Sequence, residues 1–394
     1  MRGRVDVALV GGGGAAMTLL LQLARHGPAG LSVIVIDPVD RLRDQPADRT
    51  WCYWHEGRSE VHEAVHRSWR QVLLVDRAGR RHVLDLDPLR YSMVRSQDLY
   101  RYLAPTAPRH LACAVDRVED RPDGATVHTP LGRVEARYVF DSRPAAPSPP
   151  PRTALLQHFY GEVTRTAYDC FDPDLPTLMD FRTPTPAAGM SFGYLLPTDA
   201  RTALVEYTEF SAAALTQDGY ARAFGRYRHL VAPGGQPLHR ERGSIPMTDA
   251  GYPRRVGRHV YRLGTSGGAT RASTGYTFAA MLRQGEAVAR ALAAGLDPLP
   301  PRPYPRRHTF LDAVFLRALA DGSLDGPAFF TRLFQRNPPA RVLAFLDGRA
   351  GPVADLRVVA SAPWPTMTRA ALGDLRARAG DAAYRARGAA YRRR

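Results

Sequence analysis

The 394-residue sequence predicts an α/β chain: a parallel sheet opened by a glycine-rich turn, an antiparallel sheet beside it, and helices toward the C-terminus. Three observations predict it. A strand–glycine–helix–strand order opens the chain, strand-like runs separated by turn signals fill its middle, and helical periodicity dominates from residue 306. With 44% hydrophobic and 23% charged residues, the chain has enough apolar surface to fold. No apolar run approaches the ~18 residues that cross a bilayer. Met1 and two arginines lead straight into a strand, so no secretory signal is expected. Cys52, Cys113 and Cys170 lie far apart with no CxxC, which excludes a disulfide scaffold or Cys-rich zinc site and points to the cytoplasm. The 12 histidines are scattered along the chain, and no metal site is expected among them.

The first element, residues 5–10, is apolar and rich in valine, as a strand buried on both faces requires. Gly11 to Gly14 and Ala15-Ala16 follow, then a helix-like run from Met17 to Arg25. Gly11, Gly13 and Ala16 therefore fall on a G-x-G-x-x-G/A pattern. Gly11 permits the tight turn, Gly13 lets the backbone approach a pyrophosphate, and Ala16 lets the helix pack close to the sheet. The second strand, residues 31–36, ends at Asp37, placed to accept hydrogen bonds from an adenosine ribose. This order predicts a Rossmann-like dinucleotide domain, but Asp37 alone does not separate FAD from NAD.

Trp51, Tyr53 and Trp54 come next, a dense aromatic cluster whose faces attract cations or simply pack a core. Residues 72–86 read as a hairpin. Arg95 precedes a helix at residues 96–103, with Ser96 as its N-cap. Residues 111–140 read as a β-meander with turns at Pro122-Asp123-Gly124 and Pro130-Leu131-Gly132, followed by a Pro-rich linker at 144–151. Strand-like runs follow at 155–163, at 191–196 (carrying Tyr194) and at 203–208 (carrying Glu206). A second glycine loop, Gly264 to Thr270 with Gly267 and Gly268, leads through Ser273-Thr274-Gly275-Tyr276 into a helix reaching about Ala294. A second backbone-rich loop opening a helix suits the flavin end of FAD, and so favours FAD. The nucleotide domain is then discontinuous, at 1–70, 91–150 and 255–300. Residues 71–90 and 151–254 form a substrate-binding antiparallel sheet domain, 301–370 a helical cap, and 371–394 an Arg-rich tail.

Several stretches resemble the blocks of the FAD-dependent lycopene cyclases of the bacterial and plant type. Beyond the first glycine turn they include Asp48-Arg49-Thr50-Trp51-Cys52-Tyr53-Trp54, Tyr91-Ser92-Met93-Val94-Arg95-Ser96 and Phe171-Asp172-Pro173. Next come Leu178-Met179-Asp180-Phe181-Arg182, Ala203-Leu204-Val205-Glu206-Tyr207-Thr208 and Ile245-Pro246-Met247-Thr248. The last are Gly267-Gly268 with Ser273-Thr274-Gly275-Tyr276-Thr277-Phe278, and Phe345-Leu346-Asp347. Two departures stand out. Gly264-Thr265 replaces the Gly-Asp of many related flavoproteins, and Asp347 is followed by Gly348-Arg349 rather than an acidic motif, so no catalytic role is carried onto it.

The resemblance implies that the linear ends of lycopene are closed to β-rings at a reduced FAD, with NAD(P)H as reductant and no net redox change. An acid must protonate the terminal double bond, and Glu206 is the leading candidate, since an apolar pocket keeps a carboxylic acid neutral. Glu209 and Asp180 are reserve acids, the latter equally suited to pair with Arg182. Trp51, Tyr53, Trp54 and Tyr194 are expected to line the substrate channel, and Arg95 to approach the FAD. The rival readings are a monooxygenase or isoprenoid reductase of the same architecture, or a non-enzymatic flavin- or lipid-binding protein.

All 54 basic residues are arginine against 38 acidic ones, for a net charge of +16. Coding bias and attraction to an anionic surface both account for this. With no zinc-finger, RRM or helix-turn-helix pattern, nucleic acid is not the expected partner. Lycopene is held in lipid, so the resemblance implies the inner face of the cell membrane as a peripheral partner, and Arg376, Arg378, Arg385, Arg387 and Arg392 to Arg394 form either its contact with anionic lipid or a solvated tail. Other carotenoid enzymes are the further partners that the resemblance implies.

Overall fold

The computed structural model describes residues 3–44, 48–186 and 188–391, with side chains through Asp381. The expected α/β fold is the one observed, with parallel and antiparallel sheets and C-terminal helices. In the first strand, Val5–Val10, every residue except Asp6 is buried. It pairs in parallel with Val33–Ile36 on one side and with the far half of Gly132–Asp141 on the other. The second strand thus begins two residues later than the apolar run implied, because Leu31 and Ser32 lead into the sheet from outside it.

Gly132–Asp141 serves two purposes. Its first half closes the meander against Ala125–Thr129, which in turn pairs with Arg117–Asp120. Its last residues pair in parallel with Val260–Arg262, so chain from far downstream completes the first sheet. On one face of that sheet the helix Gly14–His26 packs on Phe278–Ala293. They meet at Gly285, where an added Cβ would sit 3.3 Å from the Leu19 backbone.

The second sheet runs in the spatial order Gln236–Thr248, Ala154–Arg165, Thr202–Ser211, Met190–Pro197, Thr177–Asp180, Gln71–Val75, Arg81–Asp85. All neighbours are antiparallel except Thr177–Asp180 against Gln71–Val75. One face is covered by the helix Gln217–Val231, through Tyr220, Phe224 and Tyr227, with the Tyr227 ring seated against the bare backbone of Gly193. The other face looks toward the helices Arg306–Ala320, Gly326–Arg336 and Pro339–Leu346. A small sheet of Thr50–Glu56, Leu89–Arg95 and Val65–Trp69 lies between the two halves.

Two local expectations are corrected. The helix Ser96–Leu103 is not capped by Ser96, which is its first residue. Asp48 caps it instead, accepting from Gln97 N at 3.1 Å and from the Ser96 hydroxyl at 2.9 Å. The expected start of a tail at residue 371 falls inside one helix, Trp364–Tyr391. The side chains of Arg385, Arg387 and Arg392 to Arg394 lie outside the described residues. No helix among the described residues is long and apolar enough to cross a membrane.

Candidate active site

The glycine turn lies at the C-terminal ends of the parallel strands, where such sheets bind ligands. Gly11 has φ +87°, and an added Cβ would sit 2.6 Å from Ser142 Oγ, so only glycine fits. A Cβ on Gly13 would meet nothing within 4 Å, because this residue borders open space. Gly13, Gly14 and Ala15 line a cavity of about 560 Å³, with the amides of the following helix at its edge. Ala16 is buried beneath them. Asp37 Oδ2 accepts from Gly12 N at 2.7 Å and Oδ1 from Val39 N at 2.9 Å, with Arg41 at 3.6 Å, so Asp37 braces the turn from behind.

The facing wall comes from the second glycine loop. Gly264, at φ +61°, touches the first helix so closely that a Cβ would sit 2.8 Å from Ala15 Cβ. Gly264, Thr265 and Ser266 line the cavity, whereas Gly267 and Gly268 shape the turn outside the lining. At Gly267 an added Cβ would strike the Arg262 carbonyl at 2.5 Å, and Gly268 is left-handed at φ +79°. Gly275, at φ +73°, also lines the cavity, and a Cβ there would collide with Gln157 Oε1. That oxygen is buried and has no hydrogen-bond partner. The amides of two glycine loops and a helix N-terminus donate, and the orphaned Gln157 oxygen accepts, a set that fits a dinucleotide carrying phosphates and ring N–H groups.

The cavity continues onto the inner face of the second sheet. Strand alternation puts Leu204, Glu206, Thr208 and Phe210 on its wall and turns Tyr207 and Glu209 toward the helix Gln217–Val231. Apolar side chains from several elements, among them Leu178, Phe192, Phe330 and Phe334, complete the enclosure. Glu206 is 8% exposed. Burial, reinforced by the charge of Glu241, pushes its carboxyl up to about 8 against the pull of the Thr208 hydroxyl 2.6 Å away. At neutral pH Glu206 therefore holds a proton inside an apolar cavity. The reserve acids do not reach it. Glu209 is held below the usual carboxylate range because hydrogen bonds from His158, Tyr207 and Ser211 outweigh its burial. Asp180 is paired with Arg182 at 2.5 Å.

Of the aromatic residues, Trp51, Trp54 and Tyr194 line the cavity. Tyr53 does not. It packs behind the wall on Phe278 at 5.2 Å, and its hydroxyl bonds Ser59. Arg95 is likewise committed elsewhere, its guanidinium held by Asp98 at 2.7 and 3.0 Å. Asp347 is bidentate with Arg283 at 2.8 and 3.1 Å.

Sequence reasoning missed two features. Glu241, on Gln236–Thr248, lines the same cavity, and both its oxygens accept from Thr50 N at 3.0 and 3.2 Å; burial raises its pKa. Its signal was an acid five residues before Pro246, next to a quoted block. The second is a buried hydroxyl cluster. Tyr91 bonds the hydroxyl of Tyr194 and, at 2.9 Å, that of Tyr276, beside the Cys52 thiol, which burial pushes up to about 12. Four separate segments supply it, so no local spacing reveals it.

No curated relative matches the chain. Among solved structures, it resembles a geranylgeranyl bacteriochlorophyll reductase-like protein from Thermoplasma acidophilum, with TM-score 0.62 and 13% identity over 95% of this chain and 100% of that one. CtdE, solved in complex with FAD and a substrate, is similar at TM-score 0.56 and 12% identity, over 94% and 99%. The tetracycline destructase Tet(51) follows at TM-score 0.53 and 13% identity, over 89% and 99%. At such identities the likeness is one of fold. The profile described as lycopene cyclase protein matches residues 6–372, from the first strand through both glycine loops and the Glu206 strand into the last helix. The chain belongs to the lycopene cyclase family, enzymes that act on carotenoids.

Proposed function

We propose that this chain is a lycopene β-cyclase that closes the linear ends of lycopene at a non-covalently held FAD. The observation that carries this reading is a single cavity joining two glycine loops fit for a dinucleotide to an apolar chamber holding the neutral acid Glu206. FAD fits the first part through Gly13 to Ala15, Gly264 to Ser266, Gly275 and Gln157. The CtdE structure, which holds FAD, shares this fold. Bound in reduced form, with NAD(P)H as reductant, FAD supplies an electron-rich ring that stabilises positive charge without net electron transfer.

On this reading Glu206 holds the proton delivered to the terminal double bond, and Thr208 orients it. Trp51, Trp54 and Tyr194 present ring faces and edges to the chain and to its transient positive charge. Leu178, Phe192, Phe330 and Phe334 exclude water, which would otherwise capture a carbocation. Residues 1–70, 91–150 and 255–300 carry the cofactor, 71–90 and 151–254 the substrate wall, and 301–370 the cover. The enzyme draws its substrate from the membrane surface as a peripheral protein of the inner leaflet.

Expression in a lycopene-accumulating bacterium, followed by chromatography of the pigment, tests the proposal. Cyclic carotenoids are the expected outcome, with NAD(P)H not consumed in step with product. Unchanged lycopene beside soluble, flavin-loaded protein overturns it, and stoichiometric NAD(P)H consumption assigns the chain to a reductase or monooxygenase instead.

A further inference from the structure

Gly161, in the central strand Ala154–Arg165, is paired on one side with Glu206 and on the other with Glu241. Residues directly opposed across antiparallel strands point to the same face, so both carboxyl groups project into the cavity, where both indeed lie. Two strand spacings separate their backbones by about 10 Å. The residue between them has no side chain, so no group of the central strand stands between the two acids. An added Cβ on Gly161 would press on Glu206 Cβ at 3.1 Å and Cγ at 3.2 Å. The arrangement is two buried acids on either side of a glycine, differently partnered. Among the described residues Glu206 receives the Thr208 hydroxyl alone, and Glu241 is held by the Thr50 amide.

Resting on the cyclase reading above, we propose that Glu241 is the base that removes the ring proton, so that acid and base are separate carboxyl groups facing each other across Gly161. The Glu206 O–H bond breaks as a C–H bond forms at C2 of the terminal C1–C2 double bond, leaving positive charge at C1. The C5–C6 double bond supplies the pair that makes the C1–C6 bond and moves the charge to C5. The C6–H bond then breaks toward the Glu241 carboxylate, and its electrons become the new C5–C6 double bond. One proton enters and one leaves, no electrons are gained or lost, and return of the proton from Glu241 to Glu206 across Gly161 resets the pair. The two environments suit the division. Burial and the charge of Glu241 keep Glu206 neutral at pH 7, whereas at Glu241, whose pKa burial also raises, the Thr50 amide and Arg49 offset part of that rise, an opposing pull that Glu206 receives only from the Thr208 hydroxyl.

The test uses the flavin-loaded, reduced full chain with lycopene in vesicles, comparing wild type with Glu241→Gln, whose amide oxygen still accepts from Thr50 N. Bound flavin is measured in every sample. The expected result is turnover lowered by about 100-fold or more with flavin retained, the range a general base supplies, and residual rings whose double bond has shifted away from C5–C6. Wild-type rate with β-rings alone in Glu241→Gln overturns the assignment while leaving the cyclase intact; inert wild type sinks the cyclase reading itself. Should Glu241→Gln lose its flavin, Glu241→Asp decides. The shortened base is expected to slow closure about tenfold or more and to change the ring type, and an unchanged rate and product overturn the proposal.

Discussion

Whether Glu206 acts as an acid turns on where its proton stays. The groups facing it include Glu241 across Gly161, Thr208 on its own strand, Tyr194 paired with it on the adjacent strand and kept neutral by burial, and Cys52 and Tyr276. Burial raises the pKa of Cys52 to about 12 and that of Tyr276 well above its ordinary value, so both stay neutral at physiological pH and neither holds the proton back. With Glu206 raised to about 8 from an ordinary 4.5, the folded chain binds a proton through the window in which the unfolded chain has lost it. Stability attributable to this group is therefore full below about pH 4.5 and declines as pH rises to about 8, by at most about 1.4 kcal/mol per unit. Glu206→Gln cannot ionise, so its stability relative to wild type is expected to climb from pH 5 to pH 8. Urea unfolding across pH measures this directly, and parallel curves for the two proteins contradict a proton held at Glu206. Turnover by the wild type is expected to fall above pH 8, as the acid is lost.

At the scale of elements, the loop carrying Gly275 and Tyr276 is hinged on one residue. Arg271 N donates to the Tyr276 carbonyl, and its own carbonyl accepts from the amides of Thr274 and Gly275. Its guanidinium, 1% exposed, is clamped by Asp312 at 2.8 to 2.9 Å and by His308 at 3.0 Å, on the helix Arg306–Ala320. A helix of the cover thereby sets the position of a loop that lines the cofactor end of the cavity. Removing one partner of such a buried pair costs about 3–5 kcal/mol, because the other charge is stranded. Arg271→Met is expected to lose that much stability in urea unfolding and to hold flavin less tightly. Arg271→Met with Asp312→Leu recovers most of the stability but not the flavin affinity. Restoration of both by the double variant shows the clamp to be without influence on the loop. Spacing in sequence predicts none of this. Arg271 is one arginine among 54, and its partner lies 41 residues on.

For the whole molecule, the net charge of +16 meets an apolar face on the last helices. Trp364 (57% exposed), Leu372 and Leu375 stand out on Trp364–Tyr391 beside Arg369 and Arg376, with Val353 and Leu356 exposed on the neighbouring helix Pro352–Ala360. Rings and aliphatic side chains ringed by arginine fit an anionic bilayer surface, where each cation near the headgroups adds about 1 kcal/mol. Sedimentation with anionic vesicles is expected to decline from low to high salt and to weaken in Trp364→Ala with Leu372→Asp. Equal binding at both salt concentrations removes the electrostatic part of this contact.

The glycine turn, the meander, the paired glycine loops and the acid strand were legible in the sequence because each is written in local chemistry: positive φ needs glycine, and alternation needs a period of two. Local rules misplaced Ser96 as a cap, and the resemblance put Tyr53 and Arg95 at the site, since a cap from Asp48, a ring turned onto Phe278 and a guanidinium held by Asp98 are all settled by what folds against them. The facing of Glu206 and Glu241 was invisible for the same reason. Their 35-residue separation carries no signal until both strands register against Gly161, and only the folded sheet, bringing them out of water together, makes one carboxyl raise the pKa of the other.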